Sequence, residues 1–492
     1  MENRRRELAR KRRKRQRQIR RRILAGGLVL GTVCLGTVGW LAIKGAVSEN
    51  KKNAPTEKEL RQEEHAAVSE PIRVELVPRE ENVTVAAEEK LPVWFDLREQ
   101  GQAPTVPDQG TFGTCWAFAS LGALESSMPE ALRTSLSADH MSLRNSFGLG
   151  QDDGGDYSIS TSYLLAWQGP VAEAEDPYGD RISPENLSPV CHLQEFQILP
   201  EKDYEAIKRG IYETGGVQSS FYMPQAAGAD RDRYFNDDTD AFYYNGSLEA
   251  NHDIVIVGWD DAYPKENFVT APSEDGAFLC MNTWGESFGD RGYFYVSYED
   301  TRIGTSNVLY TRAESPENYE NVYQTDLCGW TGQLGYGDPE AWFANVYETG
   351  EDCGLAAAGF YATAPDTSYE VYVEVLNRED ADRPMGSAGV AERFSNRQLV
   401  AEGHLDYAGF YTIDWEEPID LACGDHFAVI VKLYSSGTNE PVAVEYVAGN
   451  RTRNVRIDDG EGYISPDGVY WQRAEKAQNC NVCLKAYVRK RT

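Results

Sequence analysis

The sequence predicts an α+β domain followed by an all-β sandwich, both tethered by a single N-terminal transmembrane helix. Three observations predict this. There is a 21-residue uncharged run at 23–43, a mixture of helix-like and strand-like patterns from 90 to 315, and apolar alternation punctuated by turn residues from 320 to 492.

The N-terminal elements rest on charge and length. Residues 1–22 carry 13 Lys/Arg against Glu2 and Glu7, a local charge of +11 in a chain of −30. The remaining 470 residues therefore hold −41. The run from Ile23 to Ile43, ILAGGLVLGTVCLGTVGWLAI, would span roughly 32 Å as a helix, the depth of a bilayer core. A secretory leader has a shorter apolar core, and Lys44 interrupts the small-residue site its removal needs, so 23–43 reads as an uncleaved anchor. Its basic flank, 1–22, stays cytoplasmic and everything after Lys44 lies outside, giving a single-pass protein of the cell membrane. Residues 44–89 are rich in Glu, Lys, Ala and Val, have few aromatics and no sustained period, and read as a stalk. The acidic exterior repels phosphates, which excludes nucleic acid as a partner.

Nine cysteines are too sparse for a disulfide framework. Cys480 and Cys483 make a C-x-x-C, but on a strand positions three apart face opposite ways and do not share a metal. No metal or other cofactor is expected.

Within 90–315, folded sequence starts at LPVWFDLREQG. CWAFASLGALESSM reads as a helix stopped by Pro129, whereas HDIVIVGW and GYFYVSY read as strands. In the last part, 320–492, Val371, Val373 and Val375 alternate with Glu370, Tyr372 and Glu374 in YEVYVEVL, and FAVIVKL alternates likewise. PVAVEYVAG and CLKAYVRK complete the sandwich.

The chemistry gathers around Cys115. A cysteine opening a helix feels the positive end of the helix dipole and unpaired N–H groups, both of which favour thiolate. By itself such a residue is more often a small buried hydrophobe, and its companions alter that reading. Gln109, six residues earlier across the loop GTFGT, can donate to an oxyanion beside the Cys115 N–H. His252 heads an apolar strand in NHDIVIVGWDD, and Asn282 follows in MNTWGESFGDRGYFYVS. Nucleophile, base and orienter are the parts an acyl-transfer site needs.

These segments resemble the papain-like cysteine peptidases. QGTFGTCWAFA is similar to that family's active-site segment, NHDIVIVGW to its histidine strand, MNTWGESFGDRGYFYVS to its asparagine segment and LPVWFDLREQG to the start of its mature enzyme. The likeness covers roughly 90–312. It implies Cys115 as nucleophile, His252 as general base then acid, Asn282 as orienter and Gln109 as oxyanion donor. Trp284 would shield the Asn282–His252 hydrogen bond from water and is grouped with the substrate-binding residues. DGGDYS resembles the glycine pair that holds extended substrates, which implies Gly154 and Gly155 as substrate-binding.

There are departures from the pattern. Phe112 stands where a disulfide cysteine is usual, Asp253 follows the histidine where a small apolar residue is usual and on a strand is expected to point away from His252 while its charge raises the imidazole pKa, and the stalk is short for an inhibitory pro-region. The tail resembles the lectin-like domain that follows some bacterial members. There Tyr463, Tyr470 and Trp471 are candidates to stack on cell-surface glycans, with the sandwich core as their other reading. The expected function is a membrane-anchored, extracellular cysteine endopeptidase acting on protein or peptide substrates. A transglutaminase-like acyltransferase and a catalytically inactive surface adhesin remain as alternatives.

Overall fold

The computed structural model describes residues 67–69 and 90–491, apart from 225–229, 378–380, 382–384, 387–388 and 458–459. The expected 23–43 span and the 1–22 flank lie outside these residues. No helix among those described is long and apolar enough to cross a membrane.

Strands in the first part are β1 Ala67–Ser69, β2 Trp94–Asp96, β3 His192–Leu199, β4 Val217–Phe221, β5 Phe235–Asn236, β6 Ala241–Phe242, β7 His252–Asp260, β8 Ala277–Met281, β9 Tyr293–Ser297 and β10 Asn307–Glu314. Among the described residues, four α-helices accompany them: α1 Cys115–Ser127, α2 Ala138–Arg144, α3 Tyr157–Leu165 and α4 Tyr204–Glu213. The second part is β-rich as expected: β11 Asn321–Tyr323, β12 Gly332–Gly335, β13 Glu340–Glu348, β14 Cys353–Ala362, β15 Thr367–Leu376, β16 Val390–Glu392, β17 Gln398–Leu405, β18 Ala408–Leu421, β19 His426–Ser435, β20 Val442–Glu445, β21 Gly462–Ser465, β22 Tyr470–Arg473, β23 Asn481–Val482 and β24 Leu484–Lys490. A single turn, α5 Ala474–Ala477, lies near its end.

α1 is buried from Trp116 to Ser126 because it runs between the sheet and the other helices rather than along the surface. The close approach is made at Gly122, where an added Cβ would stand 3.1 Å from Met281 Cε and 3.3 Å from Val255 Cγ2. The apolar run Ile254–Val257 explains the other wall: β7 lies between β4 and β8 and is buried on both faces.

The sheets of the second part are not separate from those of the first. One 13-stranded sheet runs through both parts of the chain, in the order β11-β24-β14-β18-β3-β10-β4-β7-β8-β9-β6-β5, with β2 on β7. The join is β18 against β3, with Ala408 opposite Ile198 and Phe410 opposite Phe196. Gly409 makes it possible: its φ is +150°, and a Cβ there would meet Phe196 O at 2.1 Å. A seven-stranded sheet, β16-β22-β21-β13-β19-β15-β17, forms the other layer of the second part.

Two details correct the sequence reading. In β15 the alternation breaks: Val371 and Val373 are buried but Val375 is 46% exposed, while Glu374 turns in and accepts from Asn396 N–H at 2.9 Å. Within the segment read as a stalk, the backbone of β1 pairs antiparallel with β12, Val68 opposite Leu334.

Candidate active site

Cys115 is the first residue of α1. Thr114 precedes it as N-cap, but its hydroxyl pairs with Tyr178 Oη instead of the first turn. The N–H groups of Cys115 and Trp116 are thereby left to face the sulfur, joined by the N–H of Asp253. That last contact sets the thiol against the head of β7, where His252 stands. Trp116 answers for its own place in the sequence. It is 3% exposed and its indole lies under Gly155, where a Cβ would come within 2.6 Å of it.

His252 is 2% exposed. Its Nε2 lies 2.8 Å from Asn282 Oδ1. The Thr283 N–H donates to that same oxygen at 2.8 Å, which identifies it as the amide oxygen. An amide oxygen only accepts, so Nε2 carries the hydrogen and Nδ1 holds the free lone pair. The Trp284 ring covers the imidazole, centroid to centroid 4.8 Å, and is itself braced edge-on by Phe288.

Gln109 reaches this group through a short ladder between two loops. Its N–H donates to Thr283 O at 2.8 Å, and Gly285 N–H donates to Pro107 O at 2.9 Å. Its side chain is clamped, since Thr283 Oγ1 donates to Oε1 and Nε2 donates to Phe112 O at 2.7 Å. One N–H of that amide has no partner among the described residues.

Gly154 has φ +75°, a conformation only glycine adopts without strain. Gly113 N–H donates to Gln151 O at 2.9 Å, joining the cysteine loop to the segment that carries the glycine pair. Phe112, in place of a disulfide cysteine, packs edge-on against Tyr178 and under the Arg181 guanidinium, 4.3 Å above its ring.

Burial dominates the electrostatics. It pushes the Cys115 thiol up to about 12, with the Asp253 carboxylate adding to the rise. It pushes the His252 imidazole down to about 4, against the Asn282 bond, which favours the charged form. Burial thus favours the uncharged form of each group. The expected action of Asp253 on the imidazole is not found. Its side chain is held by Ser220 Oγ at 2.6 Å and Gln218 Nε2 at 3.1 Å, burial lifts its own pKa to about 6, and its charge is felt by Cys115.

The fold therefore gathers Cys115, His252, Asn282, Gln109 and Trp284, with Gly154 and Gly155 flanking the helix start. Sequence reasoning passed over Thr283, which clamps Gln109, because a lone threonine carries no signal until its partner is known. It also passed over Gln218 and Ser220 on β4, which are polar residues on a strand and carry no signal until their partner Asp253 is known.

Residues 91–312 match the family model described as papain family cysteine protease. This part of the chain is a papain-family cysteine protease domain. Residues 322–488 match the model of a lectin-like domain, so the protease domain is followed by a lectin-like one. Among curated relatives, cathepsin S of Bos taurus is 28% identical over 238 residues, 44% of this chain and 63% of that protein. Cathepsin J of Mus musculus is 30% identical over 222 residues, 42% of this chain and 60% of that protein. The chain thus spans about three fifths of the length of these relatives. The arrangement of protease and lectin-like domains is similar to that in the crystal structure of Cwp84, a surface layer associated protein of Clostridium difficile, with a TM-score of 0.69 at 24% identity over 82% of this chain and 90% of that one. Of the three candidate aromatics, Tyr463 is 1% and Trp471 0% exposed, packed with Phe394 and Trp342 in a core under β13 and β21 as their other reading has it, whereas Tyr470 is half-buried.

Proposed function

We propose that the chain is a membrane-anchored, outward-facing cysteine endopeptidase that hydrolyses peptide bonds through an acyl-enzyme on Cys115. The observation that carries this reading is the His252 Nε2 to Asn282 Oδ1 bond of 2.8 Å, which leaves Nδ1 free to act as a base, while the N–H of the next residue, Asp253, meets the sulfur of Cys115 at the helix N-terminus.

In the reaction, Nδ1 takes the thiol proton as the sulfur attacks the scissile carbonyl carbon. The oxyanion is held by the Cys115 N–H and the free N–H of Gln109. The C–N bond breaks as the imidazolium gives its proton to the leaving amine. Water, deprotonated by Nδ1, then attacks the thioester, the C–S bond breaks and the sulfur recovers its proton. Gly154 and Gly155 offer backbone groups to an extended substrate, which suits an endopeptidase. Trapping Cys115 with a peptidyl epoxide and mapping the adduct by mass spectrometry tests the reading; an adduct elsewhere, or none while the chain is folded, overturns it.

Export follows from the +11 flank ahead of the 23–43 run, and a surface-associated relative of the same two-domain build supports it. Glycan contact is the second reading for the lectin-like domain, through a groove of about 460 Å³ between β15, β17 and β19 rather than through Trp471. Tyr434, 49% exposed, with Glu370, Glu402 and Lys432, supplies an aromatic face and charged hydrogen-bonding groups there. Retention of wild type but not Tyr434→Ala on immobilised glycans is the expected result.

A further inference from the structure

The lectin-like domain sends one loop, residues 448–454, against the segment that leads into the glycine pair. Gly148 N–H donates to Arg451 O at 2.8 Å, and Asn454 Nδ2 donates to Ser146 O at 3.3 Å. The two backbones touch so closely that a Cβ on Gly148 would stand 2.5 Å from Asn450 O. Arg451 then reaches past Phe147, its guanidinium 5.3 Å from that ring, and its Nη2 donates to Asp156 Oδ1 at 2.7 Å and to Ser158 Oγ at 2.6 Å.

Asp156 is the residue directly after Gly155. Its backbone is extended, φ −152° and ψ 177°, and its carboxylate caps α3 by accepting from Ser158 N–H at 3.0 Å. The extended backbone is what a strand-adding peptide pairs with, so whatever fixes Asp156 fixes the template at Gly155. Behind the Asp156–Arg451 pair lies a cavity of about 330 Å³, walled by Tyr157 and Phe196 from the protease domain and by Trp330 and Tyr446 from the lectin-like domain. Without the Arg451 side chain the carboxylate has that space to swing into, and Asp156 loses its own tie to the second domain while the ties at Ser146 and Gly148 remain.

We propose that the lectin-like domain is a working part of the peptide-binding cleft, with Arg451 as the positioning residue that holds the Gly154–Gly155 edge in its extended form. This rests on the reading of that glycine pair as the substrate-binding edge. Arg451 touches no reacting atom, so its loss should weaken capture of a peptide without altering the thiol.

The test is labelling of Cys115 in the full chain in detergent by two probes, a peptidyl epoxide and iodoacetamide. Arg451→Met should raise KI for the epoxide about tenfold with kinact unchanged, leave the iodoacetamide rate within twofold, and be largely rescued by Arg451→Lys. Asp156→Asn keeps the helix cap and the side-chain size while removing the charge that Arg451 holds, and should raise KI in the same sense; it decides the matter if Arg451→Met does not fold. An unchanged KI in folded variants overturns the positioning role while leaving the peptidase reading intact. A wild type that reacts with iodoacetamide but not with the epoxide overturns both.

Discussion

Arg312, in the last strand of the protease domain, donates through Nη2 to Asp414 on β18 of the lectin-like domain at 2.8 Å, and through Nη1 to the Thr412 carbonyl at 3.0 Å. The pair lies beside the β3–β18 join, where Phe196, Tyr361 and Phe410 pack as one aromatic cluster, Tyr361 and Phe410 at 4.9 Å. The boundary near 315–320 is therefore a boundary in sequence and not in packing. A 90–315 fragment would expose β3 as a bare edge together with the apolar face that this cluster covers. It is expected to be insoluble or to melt without cooperativity, whereas 90–492 melts as a unit; a soluble fragment with a sharp calorimetric transition would show the join to be dispensable.

Cys115→Ala should lower peptide hydrolysis by about 10⁴-fold or more while leaving the melting temperature nearly unchanged, since a small side chain at a helix start is lost. If its free N–H serves the oxyanion, as proposed, Gln109→Ala should lower kcat by about 10² to 10³ with little change in KM. Steady-state kinetics on an unfolded protein substrate separates the two effects. A kcat unchanged in Gln109→Ala removes it from the site.

The pH profile follows from His252. Only the neutral imidazole can take the thiol proton, and burial holds its pKa down to about 4. The acid limb of kcat/KM is thus expected near pH 4 to 5, below the ordinary histidine value of about 6.5. The same shift has a stability sign. The unfolded chain binds a proton at His252 below about 6.5 that the folded chain refuses until about 4, so stability falls as the pH drops through that window. An acid limb near 6.5 would contradict the burial.

Glu125 carries the opposite sign. It is 8% exposed on α1, accepts from Leu136 N–H at 2.7 Å, and burial raises its pKa to about 8. Its folded form holds a proton that the unfolded chain releases above about 4.5, so stability is lost as pH rises from there toward 8. Glu125→Gln keeps the acceptor and removes the ionisation. It should match wild type at pH 4.5 and exceed it at pH 8 by on the order of 2 kcal/mol, read by denaturant unfolding.

Trp471→Ala should destabilise the chain by about 3–5 kcal/mol, the usual cost of deleting a large buried aromatic. Its ring sits edge-on to Phe394 at 4.9 Å with no exposed face, so retention on glycans should be unaffected wherever the variant folds. Loss of glycan retention at unchanged stability would restore it as a binding residue.

The residues that the fold gathers at the candidate site were largely legible because their signals are local. A cysteine at a helix start, a histidine at a strand head and an asparagine before Thr-Trp-Gly each carry a pattern within ten residues, and so do the strands with an unbroken period of two. The helix α1, β7 and β9 were readable for the same reason. What was not legible depends on residues far apart in the chain. The inward turn of Glu374 depends on Asn396, the burial of Trp471 on Phe394, and the hold on the Asp253 carboxylate on Gln218 and Ser220 across the neighbouring strand. By itself the sequence determined the chemistry available at Cys115, His252, Asn282 and Gln109, because side-chain type and local backbone pattern are written residue by residue. Tertiary structure alone decided which charges meet and that one sheet crosses both domains, since desolvation and strand pairing at the Gly409–Gln197 join arise only when distant segments come together.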